Sequence, residues 1–440
     1  MEDIQAEEIT GDSQRAATVQ FRFLWYAGEW PRALSALRHA NFRYFWFGQL
    51  ISLMGTWMQN TAQSWLVYQL ALADYGEANA SFYMGLIGAL GSAPMFVFIL
   101  YAGVIADRYN RRHILILTQT MLGLLAAGLA VLVGTGHIRL WHVAVFATLS
   151  GLTMSFDMPT RQSFVKDMAS PRDLLNAIAL NSSIFNLARI IGPAIAGVLM
   201  EIKHIGVPGV LYINSVSYLA VIAGLILIRY RPEKLLETTG SVWGHMLEGF
   251  RYVRHHRVIR LILIIMAIYS VFGFSYAVLM PIFADQILRR AVTGYGWLIG
   301  ATGLGAFVGA VFLASTAHRA RKGRVLLAGS LICCIALILF AESRYFYLSL
   351  ALVPFIGGGL VVSSASINSM VQEIAPDALR GRVVSIWAFI FAGFTPIGAL
   401  YAGSVARALT APYAVLIGAL VCLLTLGIIS ARARWLWDIE

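Results

Sequence analysis

Apolar residues run along this chain in twelve long blocks, parted by short polar segments. The blocks cover 43–70, 81–105, 113–134, 140–158, 174–200 and 209–229, then 260–284, 293–316, 324–341, 346–370, 380–406 and 411–431. Each comes close to or exceeds the roughly 20 apolar residues a helix needs to cross a bilayer. Lipid offers no hydrogen bonds, so a spanning segment must satisfy its own backbone, as a helix does. The pattern predicts an all-α membrane protein of twelve transmembrane helices. The longest interior polar stretch, Tyr230 to Arg257, parts six blocks from six and holds a short amphipathic segment around Trp243 to Val253. The predicted organisation is a leading segment 1–42, an N-terminal six-helix half 43–229, a linker 230–259, a C-terminal six-helix half 260–431 and a tail 432–440.

The two halves echo each other. Val165-Lys166-Asp167-Met168-Ala169-Ser170-Pro171 follows the fourth block, and Val371-Gln372-Glu373-Ile374-Ala375-Pro376 follows the tenth. Gly192-Pro193 with Gly197 lies in the next block of one half, and Pro396 with Gly398 in that of the other. Parallel repeats are a recurring transporter design. Charge placement adds an orientation: 26 of the 33 Lys and Arg residues fall on the side of the N-terminus and 6 on the other, with Arg189 inside a block. Basic residues mark the cytoplasmic side, so both termini are expected there. The chain is 59% hydrophobic and 12% charged, about half the charge of a soluble protein. Its net charge of +11 is scattered over short loops, not gathered on a face that could read nucleic acid. Cys333, Cys334 and Cys422 sit in apolar blocks and read as small buried hydrophobes. The acidic leader, Met1 to Asp12, lacks the pattern of a cleaved signal, so the first helix is expected to be retained.

The loop between the second and third blocks reads Gly103-Val104-Ile105-Ala106-Asp107-Arg108-Tyr109-Asn110-Arg111-Arg112. A basic topology signal has no need of an acid at the membrane edge. This loop resembles the signature of the major facilitator superfamily, with Gly103, Asp107, Arg108, Arg111 and Arg112 at its fixed positions. Asn110 stands where that family usually has Gly, and is expected to take the left-handed backbone that Asn tolerates. Asn41-Phe42-Arg43, Gly48-Gln49-Leu50-Ile51-Ser52, Ser64-Trp65-Leu66-Val67-Tyr68 and Asn181 through Gly197 resemble the bacterial branch of enterobactin exporters and macrolide-efflux proteins. The resemblance covers nearly the whole chain. It implies the two-half fold, the bacterial inner membrane, and proton-driven export of a drug-like or siderophore-like small molecule. It also implies a gate in which Asp107 faces the start of the eleventh helix, Arg108 and Arg112 hold the carboxylate, and Arg111 meets lipid phosphates. The equivalent second-half loop, Ala317 to Arg324, has His318 in the place of Asp107, so the gate is expected to be asymmetric. A monomer in the lipid bilayer, with no cofactor, is expected.

Gln49, Ser52, Thr56, Gln59, Asn60 and Gln63 occupy one arc of about 100° on the first helix. Lipid penalises such a face, so it must meet protein or a water-filled cavity. Interhelical hydrogen bonding, at about 0.6 kcal/mol per bond, is one reading. Cavity lining is favoured, because in the resembling fold the first, fourth, seventh and tenth helices line the central cavity. Tyr269 and Tyr276 are aromatic candidates for the same cavity, although single rings are also ordinary packing residues. Arg189 is deep in a block, where a charge costs at least about 2.5–3.5 kcal/mol unless paired or hydrated. A substrate or gating charge and a guanidinium satisfied by amides and carbonyls both stay open. Proton coupling needs a titratable group reached in turn from both sides. Asp157, read near the cytoplasmic end of the fourth helix, and Asp285, near the outer end of the seventh, are the candidates, each also fit for a helix-end role.

Other classes find little support. No His is followed by Glu, and there is no G-x-S-x-G elbow and no phosphate-binding Gly-rich loop of the Walker type. His255-His256 has no nearby carboxylate or thiolate to complete a metal site. The expectation is a transporter and not an enzyme. An importer or a lysophospholipid flippase of the same fold, or a polytopic receptor or enzyme, are the alternatives.

Overall fold

The computed structural model describes residues 32–170, 172–229, 242–316 and 321–438. The acidic leader Met1–Asp12, the linker from Tyr230 to residue 241, and His318 lie outside them, as does the side chain of Asp107. The first half comprises α1 (Ala40–Tyr75), α2 (Glu77–Arg108), α3 (Arg111–Gly134), α4 (Leu140–Met168), α5 (Leu174–Glu201) and α6 (Gly206–Leu227). The amphipathic segment forms α7 (Val242–His255). The seventh span is interrupted: α8 (Arg257–Ile268), a π-helical turn at Tyr269–Gly273, α9 (Tyr276–Ile282) and a second π-helical turn at Phe283–Ile287. Then come α10 (Ala291–Thr316), α11 (Lys322–Glu342) and α12 (Phe346–Ile374). The eleventh span is split into α13 (Asp377–Gly393) and α14 (Thr395–Ala408), and α15 (Ala411–Arg432) is the twelfth. Among the described residues there is no strand.

Every apolar block falls on a helix, and among the described residues ten spans are long and apolar enough to cross a membrane. α1 and α4, of 36 and 29 residues, miss that apolarity. In α1 the polar stripe lowers it. In α4 the helix runs past its apolar block through Arg161, Lys166 and Asp167. Both helices find protein partners, α1 on α5 and α6, α4 on α2 and α3. The length of α4 corrects one expectation: Asp157 is about three turns inside the helix, not at its end.

Successive spans alternate in direction, so the start of α1 and the end of α15 share one face, called here the terminal face. The opposite, distal, face carries the α1–α2 turn, made at Gly76 with φ 72°, a left-handed conformation that glycine adopts without strain. Asn110 opens α3 with φ −62° and ψ 109°, so it is not left-handed as expected. Its side chain instead accepts from the backbone N–H groups of Arg112 at 3.0 Å and His113 at 3.4 Å, the bonding of an N-cap. At the terminal face Asp173 binds Arg38 at 2.6 Å and His39 at 2.8 Å. Hydrogen bonds from His39 first, then Ser35, Ser170 and Arg38, hold its carboxyl well below the usual range.

The halves meet along two seams, α2 on α14 and α5 on α10. Span two against eleven mirrors span five against eight, the pseudo-symmetry expected of two repeats. Glycine permits the approach. A Cβ on Gly403 would stand 2.6 Å from the Ser81 carbonyl oxygen, and one on Gly296 2.6 Å from that of Pro193. Small residues of this kind let helices pack backbone to backbone in a membrane.

Candidate functional site

A cavity of about 430 Å³ opens among α1, α2, α4 and α6, with Val278 of α9 at its edge. That volume suits a small organic solute. From the α1 stripe it takes Thr56, Gln59, Asn60 and Gln63, together with Ser64. Ser92, Ser150, Asn214 and Tyr218 add polar atoms, while Met84, Met95 and Met154 add polarizable, adaptable surface. No lining residue carries a formal charge.

The stripe serves both roles foreseen for it. Gln59 accepts from the Asn214 side-chain amide at 2.5 Å, and Thr56 lies 3.4 Å from the Tyr218 hydroxyl. These bonds tie α1 to α6. Asn60 and Gln63 have no protein hydrogen-bond partner among the described residues, so their amides are available to a solute. Gln49 and Ser52 are buried below the cavity and do not line it.

Gln49 belongs to a second site. Its amide oxygen, turned towards Arg161, accepts from Nε at 3.1 Å and from Nη1. Arg161 in turn pairs with Asp157 four residues earlier on α4. The other carboxylate oxygen of Asp157 accepts from Thr118 at 2.8 Å and Gln119 at 2.6 Å, both on α3. Asp157 is fully buried, and the Arg161 side chain is only 16% exposed. Three helices thus close on one ion pair. Sequence reading missed Arg161, Thr118 and Gln119, although an Asp and an Arg four apart on a helix are neighbours by geometry.

Asp285 has a different setting. Tyr68 of α1 donates to it at 2.6 Å across the two halves, near the distal face. Other contacts across the halves lie at the same end, while Phe96 of α2 and Phe389 of α13 meet near mid-span with centroids 4.8 Å apart. Thr293 bonds Glu201, Trp65 stacks on Tyr295 with centroids 6.0 Å apart, and Arg407 lies over the Phe82 ring. At the terminal face Arg111 pairs with Asp167, Lys322 with Glu373 and Arg380 with Asp377, each within a half, and Arg382 pairs with Glu248 of the linker helix α7.

Around the gate motif, a Cβ on Gly103 or on Gly381 of α13 would meet nothing within 4 Å. Arg111 donates to both oxygens of Asp167, at 2.8 and 2.9 Å. Arg112 donates to the carbonyls of Leu225 at 2.6 Å and Ile226 at 2.7 Å, at the end of α6. Arg111 thus meets a protein acid, and Arg112 is drawn to the α6 carbonyls that a helix end leaves free; the contacts with the Asp107 carboxylate expected of Arg108 and Arg112 lie outside the described residues. Arg108 is exposed.

Tyr269 is buried in the second half, its hydroxyl donating to the Ser330 carbonyl at 3.0 Å with Cys334 Sγ 3.1 Å away. Its contacts are those of a core residue, and it does not line the cavity. Tyr276 is also buried and outside the lining. Arg189 stands on α5 at the α5–α10 seam, apart from the cavity wall.

Known proteins share this architecture. A family profile described as transmembrane secretion effector matches residues 32–436. The Staphyloferrin A transporter of Staphylococcus aureus is 24% identical over 363 residues, 81% of this chain and 87% of its own. The multidrug efflux pump Tap of Mycolicibacterium fortuitum is 25% identical, over 82% of this chain and 88% of its own. The enterobactin exporter EntS of Shigella boydii is 24% identical, over 87% and 89%. Among solved structures, an inward-facing, occupied bacterial homolog of the human lysosomal transporter Spinster aligns with TM-score 0.71 at 12% identity, over 90% of this chain and 98% of that one. A D-xylose-proton symporter aligns with TM-score 0.68 at 12% identity, over 90% and 98%. At such identity these structures show the fold alone.

Proposed function

Because this chain belongs to the transmembrane secretion effector family of the major facilitator superfamily, and so is a membrane transporter and not an enzyme, we propose that it exports a drug-like or siderophore-like small molecule by alternating access coupled to protons. The observation that carries this reading is an uncharged, largely apolar, methionine-bearing cavity with a few amides and hydroxyls, beneath cross-half contacts at the distal face. The Lys and Arg bias makes the terminal face cytoplasmic in the bacterial inner membrane. The conformation is then one that loads from the cytoplasm, as an exporter must. Relatives named for siderophore and drug efflux support the solute class.

Asp157 is the acid proposed to couple the proton. Protonation would remove its attraction for Arg161 and release the guanidinium towards Gln49 on α1, the helix that lines the cavity. Asp285 is the second candidate, since the distal opening that releases solute would also separate it from Tyr68. The gate is proposed to close when α2 and α13 come together at the terminal face, with Asp107 facing the start of α13. A carboxylate at a helix N-terminus contributes about 0.3–1 kcal/mol when exposed and up to about 2 when partly buried.

The test is accumulation of drugs and siderophores in a deletion strain, with and without an uncoupler. Export predicts higher accumulation in the deletion strain, a difference the uncoupler abolishes. Lower accumulation in the deletion strain would mean import, and a difference that survives the uncoupler would remove the proton.

A further inference from the structure

Arg189 belongs to neither the cavity wall nor the Asp157 network. Its Nε is buried with no partner among the described residues. Its one described hydrogen bond, Nη2 to Asn186 Oδ1, is 3.3 Å, at the long end for N–H···O. No described carboxylate pairs with it. An uncompensated guanidinium at membrane depth is costly, and such residues persist where a partner arrives.

The surroundings describe that partner. Tyr276 of α9 is buried and lies within electrostatic reach of the guanidinium, and Thr302 precedes Gly303 on α10, its hydroxyl donating to the Leu298 carbonyl at 2.9 Å. Phe185, one turn before Arg189, meets Trp57 of α1 edge to face at 5.7 Å. The α10 backbone comes close as well: a Cβ on Gly303 would stand 2.8 Å from the Arg189 carbonyl oxygen. A polar row, Ser182, Asn186 and Arg189, shares one face of α5 and becomes more exposed towards the terminal end. Around Arg189 the two halves thus bring a forked cation, two hydroxyls and two rings.

We propose that Arg189 is the anchor of an anion subsite that binds the carboxylate of an aromatic acid, with Tyr276 and Thr302 beside the carboxylate and Trp57 and Phe185 against the ring. A guanidinium matches a carboxylate with two parallel hydrogen bonds, which an ammonium or an amide cannot reproduce. That this ligand is also the transported solute rests on the export reading above. Because the subsite straddles the seam, an anion held there contacts both halves and is carried when they rock.

Binding of 1-naphthoate and of its neutral counterpart 1-naphthamide to the purified full chain in lipid nanodiscs tests this without any gradient. The acid is expected to bind at least tenfold more tightly than the amide. In Arg189→Gln the preference disappears, and Arg189→Lys retains part of it. Should Arg189→Gln fail to fold, Tyr276→Phe is expected to lower the acid-to-amide ratio severalfold. Equal affinities in the wild type, no binding of the acid, or an unchanged ratio in a folded Arg189→Gln or Tyr276→Phe protein would overturn the proposal. A chain that binds the acid selectively yet shows no uncoupler-sensitive efflux would instead overturn export.

Discussion

Spans two and eleven run side by side between the two faces, yet their ends are in opposite conditions. At the distal end a Cβ on Gly403 would stand 2.9 Å from Gly85 Cα, and Arg407 covers Phe82 at 5.3 Å. At the terminal end of the same two spans, Gly103 and Gly381 face open space. Packing accounts for glycine at the first pair and not at the second. Glycine at the second pair is explained if a rigid rocking of the halves brings these positions together when the distal pair separates. The polar groups divide in the same way. The distal bond, Tyr68 to Asp285, joins the halves, whereas Asp157 and Arg161 are held within one half.

The largest effect separates those two kinds of contact. Asp157→Asn leaves Arg161 buried without its counter-charge, which costs about 3–5 kcal/mol where a buried pair is broken. Thermal unfolding should show a large loss that Asp157→Asn with Arg161→Gln largely restores. If Asp157 also carries the proton, the double variant keeps counterflow but loses gradient-driven transport; uphill transport by that protein would remove Asp157 from the coupling.

Next comes the distal seam itself. Gly403→Leu forces a side chain into backbone, a strain of about 1–3 kcal/mol. It should favour the distal-open state and cut flux about tenfold or more, while Gly381→Ala leaves the structure described here unstrained. Cysteine accessibility at the two faces reads the shift; equal accessibility in both variants and the wild type would mean that the seam does not set the balance.

Tyr68→Phe is smaller. It deletes one hydrogen bond to a charged group, about 1.5–3 kcal/mol before relaxation. Since about 1.4 kcal/mol is a tenfold change in population, distal opening should rise at least several-fold. Substrate affinity, measured by equilibrium binding, is expected to change little.

The smallest effect on the protein falls in the cavity. Asn60→Leu should weaken solute binding severalfold with unfolding unchanged. Gln59→Leu breaks the bond to Asn214 and should also lower stability by about 0.6 kcal/mol. A stability loss from Asn60→Leu with intact affinity would reverse the assignment.

The helices were legible because lipid imposes one rule on every span, an apolar run of sufficient length. The rule measures compatibility with lipid and not helicity, so it ended α4 at 158, where polar turns begin to face protein instead. Asp157 and Arg161 therefore looked like loop-side charges until α3 and α1 were packed around them. The stripe on α1 was legible from its period, but not which amides would be taken by α6. That division depends on Asn214 and Tyr218, some 150 residues away in the chain. Asn110 carried a local signal, since Asn before a helix is a common cap, and it is the cap that the backbone uses.

Distances between paired spin labels at both faces test the central claim of alternating closure most directly. One pair joins Arg172 to Gln372 at the terminal face, and the other joins His137 to Glu342 at the distal face; all four are exposed. The prediction is two populations with opposite signs: long terminal with short distal distances as described here, and the reverse when a proton gradient is applied. Asp107→Asn should enrich the first population, by about tenfold for a loss of about 1.4 kcal/mol. Distances that stay single at both faces under every condition, or that lengthen at both faces together, would contradict the claim.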